Sequence, residues 1–187
     1  MRIGILGGTF NPPHIGHVVL AKEAIKKLCL DKILFIPTNI SPHKDNDFID
    51  SLTRLDMVKL IASQDKKIEV LDIEIKRGGV SFTVDTVKQL KSMYSEDDFF
   101  LIVGSDLANN FSDWKDYCAL KSLVNIVVAQ RKIMPLKNKD SFTIIDIPQV
   151  DISSSKIREF VKKDVSIQDM VEKPVEEYIK KHNLYKA

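Results

Sequence analysis

No apolar stretch of the 187-residue sequence approaches the ~18 residues of a membrane-spanning helix. The run that opens with Met1-Arg2-Ile3 is cut short by Gly7, Gly8 and Pro12-Pro13, so it lacks the apolar core and cleavage site of a secretory leader. Cysteine is scarce. Cys29 and Cys118 stand far apart in apolar-periodic segments, and a small secreted scaffold would need more of them. Both are expected to be buried free thiols in a reducing compartment, and the chain to be cytoplasmic. Neither belongs to a metal-type cluster. An excess of one charge is also missing: a net charge of +2 is too small to indicate a nucleic-acid partner. Arginine is rare, five of the 28 basic residues, at positions 2, 54, 77, 131 and 158, which makes each one worth locating. Two familiar phosphate loops are absent. Without Gly-x-x-x-x-Gly-Lys-Ser/Thr, a P-loop NTPase is disfavoured. Without Gly-x-Gly-x-x-Gly, and with Pro37-Thr38-Asn39 where an acidic residue would close the second strand, so is an NAD-dependent oxidoreductase.

What is present suffices for a full core. Hydrophobic residues make up 44% and charged residues 29% of the chain. The length suits one domain over 1–187, with 150–187 as a helical C-terminal part. Residues 2–6, 32–37, 68–75, 99–103, 125–129 and 142–147 read as strands. Helical spacing runs through 15–29, 53–63, 83–94, 154–163 and 174–182, with Pro174 suited to a first helical position. Gly78-Gly79 ends the third strand region. The stretches 38–50 and 131–141 read as mobile loops. Several strands are continuous apolar runs, as expected of strands covered on both faces. Strands alternating with helices predict an α/β fold with a doubly wound parallel sheet. Such sheets bind ligands beyond the carboxyl ends of their strands, where the strand order reverses.

The first strand runs into Gly7-Gly8-Thr9-Phe10-Asn11-Pro12-Pro13-His14-Ile15-Gly16-His17. Adjacent glycines let a backbone approach a ligand closely. His14 and His17, three apart, share a face at a helix start, where unpaired N–H groups and a positive dipole end suit phosphate. Gly16 between them is expected to leave room for a flat ring. No carboxylate or thiolate stands nearby in sequence to complete a zinc site with the two histidines. Near the other end stands Ile152-Ser153-Ser154-Ser155-Lys156-Ile157-Arg158. Its serines fit a helix cap or a phosphate cradle, and Arg158 could aim a planar donor fork at phosphate oxygens. Asp106, after the fourth strand, fits a cap. Trp114, the only Trp, sits in a polar stretch and fits either ring stacking or core packing.

Together these segments resemble the nucleotidyltransferase superfamily with the His-x-Gly-His signature. The chain is similar to bacterial nicotinate-nucleotide adenylyltransferases along nearly its whole length. The narrower likeness rests on Pro42-His43-Lys44, Arg54, Ser81-Phe82-Thr83-x-Asp85-Thr86, Gly104-Ser105-Asp106, Phe111 with Trp114, and the Pro174–Tyr185 tail. Asn11 stands where that family more often has Asp, Phe82 where Tyr is frequent, and Gln130-Arg131-Lys132 where Arg-Pro-Gly is frequent. The resemblance implies a Rossmann-like nucleotidyltransferase fold. It implies transfer of AMP from ATP to nicotinate mononucleotide, with Mg²⁺ held mainly by ATP phosphates and no metal ligands of the protein's own. His14, His17, Lys44 and Arg158 are the implied catalytic groups. Gly7, Gly8, Thr9, Phe10, Gly16, His17, Gly104, Asp106, Ile152, Ser154, Ser155 and Arg158 would bind ATP. Asn11, Lys44, Thr83, Trp114 and Lys115 would bind the mononucleotide. Phosphopantetheine adenylyltransferases share the two end signatures but not the middle segments. A regulatory module without turnover would not need His14, His17 and Arg158. Assembly as a homodimer is left open.

Overall fold

Six strands form one parallel sheet: β1 (Arg2–Gly8), β2 (Lys32–Pro37), β3 (Ile68–Val70), β4 (Asp98–Gly104), β5 (Asn125–Gln130) and β6 (Thr143–Asp146). They come from a computed structural model that describes residues 1–42, 49–130 and 142–186. Lys44, Arg131 and Lys132, with residues 43–48 of one expected mobile loop and all of 131–141, lie outside the described residues. The strand order β3-β2-β1-β4-β5-β6 reverses direction between β1 and β4. There the sheet also splits. β1 stays paired with β2 as far as Gly8 opposite Pro37, but with β4 only as far as Ile5 opposite Leu101. A crevice at the reversal point is where a doubly wound sheet places its ligand.

Helices cover both faces. On one side lie α1 (Ile15–Lys27) and α2 (Ser51–Ala62), joined by the C-terminal pair α7 (Ser154–Lys162) and α8 (Lys173–Lys181). Ala21, Val58, Ile157 and Ile179 from these helices share one cluster with Phe35, Ile102 and Val127 of the strands. On the other side lie the short α3 (Ile73–Arg77), α4 (Thr83–Met93), α5 (Ser105–Ala108) and α6 (Tyr117–Leu123). Val87 and Leu120 there pack with Leu34, Leu101 and Val128. Successive strand residues thus feed opposite clusters, which is why the strands read as unbroken apolar runs.

Three expectations need correction. The strand expected over 68–75 ends at Val70, and Ile73–Arg77 is helical. Ile73 joins the cluster of Val84 and Val87, and buried Glu74 accepts a hydrogen bond from Thr86 Oγ1 at 2.5 Å, so partners ten or more residues away override the local alternation. Gly78 and Gly79 do end that region, both at positive φ (72° and 66°), which glycine adopts without a Cβ clash. Helices also occupy the chain between β4 and β5, a stretch to which no element was assigned from the sequence: α5, a 3-10 turn (Phe111–Asp113) and α6. Finally, both cysteines are exposed free thiols. Leu28 and Leu30 take the inward positions around Cys29, and Leu120 takes it for Cys118. Pro174 falls one place inside the start of α8, after Lys173.

Candidate active site

The turn from β1 into α1 is held in an unusual shape by its own rings. Phe10 has a positive φ of 48°, a region that non-glycine residues rarely enter. Its ring is buried, stacked on Phe35 (5.5 Å, 15°), and in contact with His17 at 4.8 Å. His14 caps α1 in an extended conformation. Its backbone N–H donates to His17 Nδ1 at 3.1 Å, and the His17 N–H returns to the His14 carbonyl at 2.9 Å. An imidazole nitrogen that accepts a hydrogen bond carries no proton. In the neutral ring the proton therefore sits on Nε2, which makes that atom a donor. A Cβ on Gly16 would lie 3.0 Å from the His14 ring, so a glycine there makes room for that ring.

The remote signature closes on this turn. Ser153 is the cap of α7, its hydroxyl accepting from the Lys156 N–H at 3.2 Å. The Ser154 hydroxyl instead donates to the Pro12 carbonyl at 2.9 Å. Arg158 donates to the Asn11 carbonyl at 2.8 Å and to Ser155 Oγ at 3.2 Å. Ile152, half-buried, packs against the core just ahead of them. From a third direction, buried Arg54 on α2 donates to the carbonyls of Thr9 (2.7 Å), Thr38 (2.7 Å), Asn39 (2.9 Å) and Ile49 (3.1 Å). Burial lowers its guanidinium pKa, while nearby Tyr185 and Asp50 act to raise it. The carbonyls of Thr9, Asn11 and Pro12 are therefore all engaged by donors. Tying down the negative ends of these peptide dipoles makes the turn a better neighbour for an anion.

A second group of predicted residues meets on the other face. Thr83 opens α4 after Phe82. Lys115 Nζ lies 3.0 Å from Asp85 Oδ2 and 4.4 Å from the centre of the Phe82 ring, so the Trp114-Lys115 turn is tied to the start of α4. Trp114 is half-buried against Phe111 (4.4 Å, 36°), which supports one side of the indole. The two groups are connected. Arg54 holds the Asn39 carbonyl, the Asn39 N–H donates to Ser81 Oγ at 2.9 Å, and Ser81 precedes Phe82 and Thr83. Gly104 ends β4 and leads into α5, which carries Asp106. Among the described residues, no group of three or more His, Cys, Asp or Glu gathers as a metal site.

Two residues gained importance only in the structure. Arg54 had a sequence signal, being one of few arginines, but not its four carbonyl partners. Tyr185 was marked in the sequence only as the end of the Pro174–Tyr185 tail, with nothing to indicate its partner: its hydroxyl donates to Asn11 Oδ1 at 2.7 Å across 174 residues of sequence.

The chain is similar to known proteins along nearly its whole length. A family model described as cytidylyltransferase-like matches residues 5–160. A relative from Shouchella clausii, described as a probable nicotinate-nucleotide adenylyltransferase, is 40% identical over 98% of this chain and 96% of its own. One from Borrelia garinii, described in the same words, is 43% identical over 99% of this chain and 95% of its own. The solved nicotinic acid mononucleotide adenylyltransferase of Plasmodium falciparum, complexed with NaAD, superposes with a TM-score of 0.82 over 98% of this chain and 97% of that one. At 22% identity it speaks for the fold alone. With its two signatures joined at the crevice and relatives this similar along their whole length, the chain belongs to the nicotinate-nucleotide adenylyltransferase family.

Proposed function

We propose that the protein transfers AMP from ATP to nicotinate mononucleotide, giving nicotinate adenine dinucleotide and pyrophosphate in NAD biosynthesis in the cytoplasm. The observation that carries this reading is the junction of the two signatures at the sheet's reversal point, through Ser154 on Pro12 and Arg158 on Asn11. The names of the end-to-end relatives support it.

The nucleophile is an oxygen of the mononucleotide's phosphate. A phosphate monoester has a second pKa near ~6, so it is largely ionised at neutral pH and needs no general base. It attacks the α-phosphorus of ATP, the bond from that phosphorus to the bridging oxygen breaks, and pyrophosphate leaves. The protein's task is to hold two anions in line and to stabilise charge growing on the α-phosphate and the leaving group. In this reading His17 Nε2–H is the donor nearest the α-phosphate, with His14 beside it. Arg158, Ser154 and Ser155 take the β- and γ-phosphates, and Lys44 reaches the same chain of phosphates. Gly7, Gly8, Thr9 and Phe10 form the nucleotide bed, and Gly16 admits the His14 ring. Gly104, Asp106 and Ile152 flank the adenosine, with Asp106 accepting from the ribose. The chain's donors suit phosphate rather than a cation, so a Mg²⁺ would be held mainly through the phosphates of ATP and would supply charge neutralisation there.

Asn11, Thr83, Trp114 and Lys115 are assigned to the mononucleotide. The indole covers the pyridine ring while N–H groups at the start of α4 and after Trp114 meet its substituent. Such donors favour a carboxylate over an amide. An amide that turns its NH₂ toward them leaves bonds unmade, at about 1–3 kcal/mol each. The expected result is at least a roughly tenfold preference in kcat/KM for nicotinate over nicotinamide mononucleotide. Pyrophosphate release from ATP, measured side by side with each, tests it. Equal values, or a preference for the nicotinamide form, would overturn the acceptor assignment, and release with neither would overturn the function. Excess chelator should stop turnover, and full activity in its presence would remove the metal from the reaction.

A further inference from the structure

The C-terminal tail reaches into the site at one atom. Beyond α8, which is anchored by Val175 and Ile179 in the core and by the Tyr178 hydroxyl on Asp56 Oδ2 (3.2 Å), the chain turns back. Asn183 and Tyr185 both take positive φ, 50° and 64°. At Asn183 this is a common helix ending, the Leu184 N–H returning to the Ile179 carbonyl at 3.0 Å; at Tyr185 it is a conformation that non-glycine residues seldom adopt and that the surroundings must hold. The bend delivers the Tyr185 ring against the core and its hydroxyl to Asn11 Oδ1.

We propose that Tyr185 is a positioning residue for adenylyl transfer: its hydroxyl on the Asn11 side chain fixes the segment whose backbone carbonyl holds Arg158. The proposal rests on the functional reading above. Asn11 is buried, and its Nδ2 has no hydrogen-bond partner, so among the described residues the Tyr185 hydroxyl is the one hydrogen bond to its amide. Loss of that bond would leave a buried amide with neither end satisfied, a state folded proteins avoid by moving. What would move is the turn carrying the Asn11 carbonyl, 2.8 Å from Arg158 Nη1, and the neighbouring Pro12 carbonyl that holds Ser154. Arg54 and Arg158 both lie close enough to act electrostatically on the phenol. Burial outweighs them and pushes the hydroxyl's pKa up, so it remains a donor across the working range.

The test is Tyr185→Phe in the full chain, which removes one oxygen and keeps the ring. A displaced phosphate ligand is expected to lower kcat about tenfold, since small misplacements in such sites are costly. The melting temperature should fall by no more than about 5 °C, the loss of one buried hydrogen bond of about 1 kcal/mol. Asn11→Ala, which breaks the same bond from the other end, should lower kcat at least as much. In an Arg158→Ala background the added change at Tyr185 should cost less than about twofold, because the group it positions is gone. A kcat within about twofold of wild type in Tyr185→Phe overturns the proposal. So does an undiminished loss in the Arg158→Ala background. So does a kcat loss matched by a melting temperature lower by more than about 5 °C, which is what a merely structural anchor would give. If Tyr185→Phe fails to fold, Asn11→Ala with unaltered kcat overturns it. Wild-type pyrophosphate release is measured alongside: its absence overturns the functional reading and this proposal together, whereas its presence leaves the variants to decide the proposal alone.

Discussion

His17→Ala is expected to lower kcat by roughly 10²–10³ while changing ATP affinity only a few-fold, the effect of removing one preorganised donor from a reacting centre. The size follows from how completely the ring is fixed. The His14 N–H engages Nδ1, Phe10 packs on one side, and the His14 ring lies 3.9 Å away. The orientation of the ring is set before substrate binds, so the benefit of Nε2–H falls on the transition state rather than on ground-state binding. Steady-state kinetics with saturating ATP, together with a direct ATP titration, separate the two. A variant within about threefold of wild-type kcat, or one whose loss lies entirely in ATP affinity, would move the α-phosphate elsewhere.

Arg54→Ala is expected to cost on the order of 3–5 kcal/mol of folding stability, comparable to breaking a buried charged pair. Four carbonyls lose a charged donor at once, and buried acceptors without partners cost about 1–3 kcal/mol apiece where water cannot replace the donor. For a domain of this size that corresponds to a fall in Tm on the order of 10 °C. Arg54→Lys should recover little, because a single ammonium cannot span Thr9, Thr38 and Asn39 in fixed directions. Activity should fall beyond what unfolding explains, since Arg54 ties the turn after β1 to the segment leading to Thr83. Thermal and urea unfolding of both variants measure the first effect, and kcat/KM below the transition the second. A Tm within about 2 °C of wild type for Arg54→Ala would mean that other groups hold these carbonyls.

The sequence by itself determined the fold class and the family. Strands such as 32–37 are legible because both faces are covered, and a segment with no solvent side has an unmistakable composition. The Gly7–His17 segment is legible because glycines and paired histidines at a strand-to-helix turn have few other uses. The edge region after Val70 was misread because Ile73 and Glu74 answer to residues of α4, not to the pattern around them. The cysteines were misread because a residue flanked by apolar neighbours need not itself face inward. What only the tertiary structure decided is how the parts are joined. Arg54 collects carbonyls from three segments, Ser154 and Arg158 close onto the turn after β1, and Tyr185 returns from the far end to Asn11. Hydrogen bonds to backbone carbonyls leave no trace in the identity of the acceptor, because every residue has a carbonyl. A sequence can announce the donor, as scarce arginine did here, but the acceptor is chosen by how the chain folds.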